Sequence, residues 1–167
     1  MNASTTDTAA VLGSPALQQF IDRRQIAAEI IPLGAHTATV ADAALALGVD
    51  TDQIIKSLVF RCDDTALLVI TNGLARVDRK KLAGQLGVGR KKVKFATAED
   101  ALDITGFIVG SMPPFGHRTQ LRTLVDPSVT AMETVYGGGG DIDAMLRLTP
   151  GELLRVTGAD VMPLAED

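Results

Sequence analysis

The sequence predicts a single α/β domain in which a mixed sheet is flanked by helices. Segments rich in β-branched and aliphatic residues alternate along the chain with segments whose apolar residues recur at helical spacing. The chain has 167 residues, which is enough for one domain with a substantial core, and no repeat or linker divides it. Hydrophobic residues make up 46% and charged residues 22%, an ordinary globular balance.

Capping residues indicate where the helices begin. Ser14 followed by Pro15 predicts an N-cap and a first helical turn, and this helix continues through about Arg24. Asp78 and Thr97 are expected to cap two later helices. The predicted helices span residues 14–24, 40–47, 79–86, one or two turns after 97, and 151–156.

The predicted strands are short and mostly apolar, and turn residues separate them. Asp63 and Asp64 form a hairpin turn between two of these strands. The strands span residues 27–33, 57–62, 66–71, 93–96, 107–109, 122–125, 134–136 and 145–148.

The remaining composition limits the cellular setting that we expect. Residues 1–13 have neither a basic start nor a long apolar run, so we expect a frayed tail there and a folded domain over 14–167. A lone Cys62 excludes a disulfide framework within the chain, and two histidines argue against a zinc site. No apolar run approaches the roughly 20 residues of a membrane span. We predict a cytoplasmic protein without metal or cofactor.

The densest run of glycine and proline lies between Gly106 and His117. Its first residues, 107–109, predict a short buried strand, which then enters a segment that cannot continue it. Proline has no N–H, so backbone donors for a ligand must come from Gly110, Ser111, Met112, Phe115 or Gly116. The same residues are typical of a rigid turn without chemistry, and both interpretations stay open from the residues alone.

Two other segments could carry chemistry. Lys56 begins an apolar strand on the same side as Leu58 and Phe60, either at the rim of the sheet or in a cleft, where its charge could stabilise an anion. Glycines 137–140 either allow a substrate to approach the backbone or form a loose hairpin loop. His36 and His117, taken alone, are expected at the surface.

Positive charge is concentrated although the net charge is −4. Residues 76–94 contain eight of the 16 basic residues and one acidic residue, Asp78. Three cations occupy the first turn of the helix 79–86, where the helix dipole disfavours them, so a phosphate-binding surface competes with a merely solvated face. The local field, rather than net charge, decides where a polyanion binds.

Two segments carry a resemblance to a known family. Residues 55–59, Ile-Lys-Ser-Leu-Val, match a lysine entering a strand, and 110–114, Gly-Ser-Met-Pro-Pro, match a Gly-x-x-x-Pro loop. Residues 105–110, 114–116 and 153–158, and Tyr136 with the glycine loop, extend the match. In order and spacing the chain resembles, over about residues 26–164, the YbaK/EbsC family of aminoacyl-tRNA deacylases, which includes the editing domain of bacterial prolyl-tRNA synthetases.

The resemblance implies a YbaK-like domain with a partly barrel-like sheet that hydrolyses the ester of a mischarged tRNA. It implies that the amino acid removed is small, such as Cys or Ala, and is attached to the tRNA for proline. Prolyl-tRNA synthetase is a candidate partner, and binding to DNA or to a membrane is not expected. Lys56 would hold the substrate's phosphate or carbonyl end, loop N–H groups would bind the oxyanion, and a ribose hydroxyl would activate water. The implied catalytic residues are Lys56, Gly110, Ser111, Met112 and Pro114; the substrate-binding residues are Ser57, His36, Phe115, Gly116, Gly138, Gly139 and Gly140; the tRNA-binding residues are Arg79, Lys80, Lys81, Lys91 and Lys92.

The chain also departs from the family pattern. Gly138 stands where family members specific for cysteine have a serine, and Met145 stands where they have an aspartate. Two alternatives therefore stay open: a binding module of the same fold that has lost turnover, and a hydrolase of unrelated small esters. Loss of the ester from mischarged tRNA, and its salt dependence, would distinguish the three.

Overall fold

The computed structural model describes residues 11–37 and 39–167. Within these residues the helices are α1 (Ser14–Arg24), α2 (Val40–Leu47), α3 (Arg79–Leu86), α4 (Ala98–Thr105), α5 (Pro127–Thr130) and α6 (Pro150–Thr157). The strands are β1 (Ala28–Pro32), β2 (Ile55–Cys62), β3 (Thr65–Asn72), β4 (Val93–Phe95), β5 (Arg122–Val125), β6 (Val135–Gly138), β7 (Ala144–Leu148) and β8 (Asp160–Val161). Of the predicted tail, residues 1–13, the first ten lie outside the described residues.

The strands form two sheets rather than one. Strands β1, β7 and β6 form an antiparallel sheet in that order, and β4, β2, β3, β5 and β8 form a mixed sheet. A single bridge between Ile54 and Tyr136 connects the start of β2 with β6. The predicted mixed α/β domain is confirmed, but the predicted partly barrel-like sheet is not found: the two sheets do not close into a barrel, and among the described residues a single bridge joins them.

Side chains on the two faces of β2 pack in two different hydrophobic cores. Ile55 and Val59 pack with the larger core, which fills the space between the sheets. Phe60 points to the opposite face and packs with Leu82 of α3. Lys56 shares the Phe60 face of β2 by strand alternation, because side chains two and four residues apart lie on one side.

Side-chain caps begin five of the described helices, and in the short α5 the cap is Asp126, whose carboxylate accepts from the N–H of Ser128. The hydroxyls of Thr39, Thr97 and Thr149 each accept a hydrogen bond from the backbone N–H three residues later, and Asp78 accepts from the N–H groups at 80 and 81. The N-cap of α1 was predicted at Ser14, one residue too late. Gly13 is the N-cap of α1, while the Ser14 hydroxyl donates to the carboxylate of Asp141 at 2.7 Å.

The predicted strand at residues 107–109 is wrong. Phe107 is fully buried, but Ile108 and Val109 are 47% and 56% exposed, and the three residues pair with no strand. The Ser111 N–H and hydroxyl both donate to the carbonyl of Ile108, at 3.0 and 2.8 Å, so the chain turns there. β-propensity is overridden because the following glycine-proline segment imposes the turn.

Asp126 anchors the end of the chain. Its buried carboxylate accepts hydrogen bonds from the N–H groups of Leu164, Ala165 and Ser128, at 2.8, 3.0 and 3.0 Å. Burial alone would raise the pKa of this carboxyl, but these hydrogen bonds outweigh burial and lower it.

We expect Asp126→Ala to lower the free energy of unfolding by about 3 kcal/mol, because three N–H groups lose a charged acceptor in a buried place. Chemical denaturation monitored by circular dichroism measures the change. Asp160→Ala is the control, because Asp160 lies on neighbouring β8 with an exposed carboxylate 3.8 Å from Arg122, and its loss should cost less than about 0.5 kcal/mol. Equal losses in the two variants would contradict the anchoring role.

Candidate active site

A cavity of about 250 Å³ lies where the start of β2, the strand β7 and the helix α2 meet the 110–112 loop. Most of its lining is apolar, and the polar side chains that line it are Thr37, Thr39, Lys56 and Ser57. Pockets for larger ligands are about 300–1,000 Å³, so this one suits a small ligand group. Lining residues from the described chain are Thr37, Thr39, Val40, Ala43, Ile54, Ile55, Lys56, Ser57, Gly110, Met112, Gly138, Ile142, Ala144 and Met145.

Lys56 is the charged residue in this lining. It is the second residue of β2 and pairs with Thr71 of β3, which fixes its backbone within the sheet. Partial burial lowers the pKa of the Lys56 ammonium, and the nearby charge of Arg76 lowers it further. The ammonium therefore gains by pairing with an anion, which would offset both effects.

Two residues of the loop that lines the cavity have backbone N–H groups without a protein acceptor. Gly110 has a positive φ of 101°, a conformation that favours glycine, and it follows the turn closed by Ser111 on Ile108. Gly110 and Met112 line the cavity, and within the described part of the chain their N–H groups donate to no protein acceptor. Two such donors near a cation can bind an anionic oxygen.

Gly138 holds this loop close to β6. A Cβ added at Gly138 would lie 2.6 Å from the carbonyl carbon of Met112 and 2.8 Å from that of Ser111, and it would also collide with the Met112 oxygen. The N–H of Gly140 donates to the carbonyl of Ser111 at 3.0 Å, which ties the glycine loop to the same segment. The 110–112 backbone can therefore lie where it does only with glycine at 138.

Ser57 has an unusual environment. Its side chain is 8% exposed and lines the cavity, and its hydroxyl has no hydrogen-bond partner among the described residues. A buried hydroxyl without a partner costs stability, so a ligand group that bonds to it would be favoured. The sequence placed Ser57 in the site only by its position after Lys56.

The structure brings together some of the residues that the sequence predicted for the site. Lys56, Ser57, Gly110, Met112 and Gly138 line the cavity, but the other predicted residues do not. Ser111 is bonded within its turn, and His36 is exposed. Pro114, Phe115 and Gly116 line a separate hollow of about 220 Å³. Gly139 packs on Ala144, and Gly140 packs on Ser14. The cavity is also lined by Thr37 and Thr39, which the sequence analysis did not single out, and by Met145, which it noted only as a departure from the family pattern.

His117 contacts the loop at Pro113 and lines the separate hollow, not the cavity. Its Nε2 lies 2.8 Å from the carbonyl oxygen of Pro113, and its ring meets the edge of Phe107. Burial lowers the pKa of His117 to about 4, so at neutral pH the ring is neutral and Nε2–H donates to that carbonyl. The prediction of a surface histidine is therefore wrong for His117.

We expect this histidine to make stability fall in mild acid. Because its folded pKa of about 4 is below the ordinary 6.5, its contribution is fully present above pH 6.5 and is lost as the pH falls toward 4. His117→Gln keeps an N–H donor but cannot titrate, so its unfolding free energy should change less over this range than that of the wild type. His36→Gln, at the other histidine, is the control and should keep the wild-type slope; identical slopes for all three proteins would contradict the assignment.

The predicted tRNA-binding cations differ in whether their charged groups have partners within the protein. Arg79 donates twice to the carbonyl of Val93, at 3.0 and 2.7 Å, and Lys81 pairs with Asp167 at 2.8 Å. Lys80, Lys91 and Lys92 are exposed. Arg79 and Lys81 therefore have structural partners, and Lys92 lies 3.7 Å from the carboxylate of Asp63, whereas Lys80 and Lys91 form no ion pair with any described residue.

Among residues 11–37 and 39–167, no group of three His, Cys, Asp or Glu side chains could hold a metal ion. Nor is any helix of this part of the chain long and apolar enough to cross a bilayer. The polar groups that line the cavity among the described residues are the Lys56 ammonium and the hydroxyls of Thr37, Thr39 and Ser57.

The geometry defines a class of site: an anion-binding cavity of cation and backbone donors on a two-sheet α/β fold. Residues 34–156 match the aminoacyl-tRNA editing domain family, and the chain belongs to this family. The predicted assignment as an aminoacyl-tRNA hydrolase is thereby confirmed at the level of the family.

Three relatives illustrate the similarity. A solved structure of a protein inferred to be a trans-editing enzyme for prolyl-tRNA synthetase is 35% identical, with a TM-score of 0.86, over 92% of this chain and 97% of the other. The uncharacterized protein YwhH of Bacillus subtilis (strain 168) is 33% identical over 118 residues, which are 70% of this chain and 73% of YwhH. The proline–tRNA ligase of Ligilactobacillus salivarius (strain UCC118) is 34% identical over 106 residues, which are 64% of this chain but 18% of the ligase.

Proposed function

We propose that this protein removes a small amino acid from mischarged tRNA as a free-standing editing enzyme, with the tRNA for proline as its substrate. The observation that carries the proposal is the placement of Lys56 and the unpaired N–H groups of Gly110 and Met112 around one small cavity. Synthetases cannot reject small or isosteric side chains well by binding alone, so a second site must remove the errors. The match to a protein inferred to edit for prolyl-tRNA synthetase supports the choice of tRNA.

The proposed reaction is hydrolysis of the ester between the amino acid and the terminal ribose. Water attacks the ester carbonyl carbon, the carbonyl oxygen becomes an oxyanion, and the bond from carbon to the ribose oxygen then breaks. The N–H groups of Gly110 and Met112 would bind the oxyanion, while Lys56 would hold the phosphate or carbonyl end of the substrate.

The proton must be moved by the substrate itself. No carboxylate, imidazole or thiol from the described residues lines the cavity, so a general base from the protein is missing there. The free hydroxyl of the terminal ribose lies next to the ester and can accept the proton from water and pass it to the departing ribose oxygen. This assignment predicts that removing that hydroxyl from the substrate stops hydrolysis without preventing binding.

The dimensions of the cavity support a small amino acid such as cysteine or alanine. At about 250 Å³ the cavity is small, and Ile55, Met112 and Met145 contribute apolar side chains to its walls. The unpaired hydroxyl of Ser57 would bond to a polar group of the bound amino acid, for example its amino group. Activity in the cytoplasm and contact with prolyl-tRNA synthetase remain parts of this proposal.

A panel of tRNAs mischarged with different amino acids tests the proposal. The release of radiolabelled amino acid should be fastest for a small residue on the tRNA for proline, and correctly charged tRNA should keep its ester. Binding of the panel without release of any amino acid would contradict the enzyme and favour a binding module of the same fold. Equal activity on free amino-acid esters, without salt dependence, would favour a hydrolase of small esters.

A further inference from the structure

Phe95 is an aromatic side chain that lies 54% exposed at the edge of the five-stranded sheet. It ends β4, opposite Phe60 of β2, and the centroids of the two rings are 4.3 Å apart at an angle of 32°. Phe60 is fully buried, so Phe95 is supported by the core while much of its own ring faces solvent. A supported but open ring is a platform on which a second flat group can stack.

The platform lies on the same face of the sheet as Lys56. Strand alternation places Phe60, Leu58 and Lys56 in a row on this face of β2, and Phe95 stands beside Phe60. Because a strand rises about 3.4 Å per residue, Phe95 is on the order of 14 Å from Lys56. A stacked single strand advances ~3.4 Å per nucleotide, so about four nucleotides cover that distance, and fewer do when extended.

Cations lie beside the platform at the edge of the sheet, where Arg61 and Lys94 extend from the opposite face to that of Phe60 and Phe95 by strand alternation. Phe95 lines a groove of about 410 Å³ together with Arg61, Lys91, Lys92 and Lys94, against two carboxylates. Arg61 is paired directly across the strands with Lys94, an arrangement of like charges that costs stability unless an anion lies between them. Asp63 lies 3.7 Å from Lys92 and Asp100 lies 3.9 Å from Arg61, while Lys91 and Lys94 form no ion pair with any residue described here.

We propose that Phe95 and these four cations bind the unpaired nucleotides that precede the esterified adenosine of tRNA. A base stacks on the open face of Phe95, and Lys91 and Lys94, which line the same groove, contact neighbouring phosphates of the strand. An aromatic ring among cations is the combination that single-stranded nucleic acid uses, whereas an acidic peptide offers no flat group to stack. The inference rests on the proposed function only for the identity of the strand.

The test measures binding of a fluorescently labelled RNA with the sequence of the tRNA 3′ end, which contains no ester. Phe95→Ala should weaken binding by about 5- to 150-fold, the usual effect of losing one base–aromatic stack. Phe95→Tyr should bind like the wild type, whereas Phe95→Leu should bind like Phe95→Ala although it keeps an apolar contact with Phe60. Lys91→Gln and Lys94→Gln should each reduce the slope of log affinity against log salt by about 0.7.

The controls distinguish stacking from a general effect. Val161→Ala changes an exposed apolar residue at the opposite edge of the same sheet and should bind RNA like the wild type. An abasic strand of the same length should bind Phe95→Ala and the wild type equally, because it has no base to stack. Wild-type RNA affinity in Phe95→Ala, with an unchanged melting temperature, would overturn the inference.

This binding measurement separates the inference from the proposed function. If the wild type releases no amino acid from any tRNA while Phe95→Ala still loses RNA affinity, the proposed hydrolysis is wrong and the platform stands. If hydrolysis is found, the ratio of kcat/KM on mischarged tRNA to kcat/KM on aminoacyl-adenosine should fall by the same 5- to 150-fold in Phe95→Ala, because aminoacyl-adenosine lacks the preceding nucleotides. A ratio equal to that of the wild type would overturn the inference.

Discussion

Replacing Lys56 with methionine should reduce kcat/KM for deacylation of mischarged tRNA by about 10²–10³-fold, an effect comparable to losing one group that stabilises charge in the transition state. Methionine keeps an unbranched apolar stem but removes the charge beside Gly110 and Met112. The main chain at position 56 is held by its pairing with Thr71, so the fold should persist. Single-turnover release of radiolabelled amino acid measures the rate, and a thermal melt verifies the fold.

The pH profile and a control variant sharpen this result. Burial and Arg76 lower the pKa of Lys56, so activity that needs the ammonium should decline at a lower pH than an ordinary lysine would give. Arg76→Gln should move that decline to a higher pH.

The control variant is Arg23→Met. It removes an exposed cation on α1 that does not line the cavity, and it should keep wild-type kinetics. Turnover by Lys56→Met equal to that of the wild type would remove the lysine from the mechanism.

Replacing Gly138 with alanine should reduce deacylation by about 10²-fold or more. The added methyl would lie under 3 Å from backbone atoms of Ser111 and Met112, and backbone cannot rotate away as a side chain can. The Met112 and Gly110 N–H groups would therefore shift, and displacement of catalytic groups by about 1 Å can cost 10²-fold. We expect kcat to fall more than KM rises, because the shift affects donors that act in the transition state.

Gly151→Ala is the matched control for this substitution. Gly151 lies in α6, where a Cβ would meet no atom within 4 Å, so alanine should keep activity and raise helix stability by about 0.5–1 kcal/mol. Full activity in Gly138→Ala would show that the loop can move without consequence.

The sequence predicted the pieces of this site better than their arrangement. The lysine at the start of β2 and the glycine-proline loop were recognisable from local pattern, because strand alternation and the absence of proline N–H groups are short-range properties. Which loop N–H groups remain free could not be predicted, since this depends on the bond from Ser111 to Ile108. The apparent strand at 107–109 misled because its β-formers precede a turn that the glycine-proline segment imposes and that Ser111 closes on Ile108.

Contacts that form only in the folded chain explain the other differences. His117 has no sequence signal for burial, and only the structure shows its bond to Pro113. Similarly, Phe95 looks like an ordinary strand residue until β4 is found at the edge of the sheet. The positive run at 76–94 was visible, but the structural roles of Arg79 and Lys81 depend on partners at Val93 and Asp167.

The most direct test of the account is to find where the ester end of the substrate binds. A hydrolysis-resistant analogue, with an amide in place of the ester of aminoacyl-adenosine, can be titrated into ¹⁵N-labelled protein. The account predicts that the largest amide shifts occur at Gly110, Met112 and Gly138, and that Lys56→Met weakens binding of the analogue. Largest shifts in the separate hollow behind the loop, around Phe20 and Gly116, would contradict it.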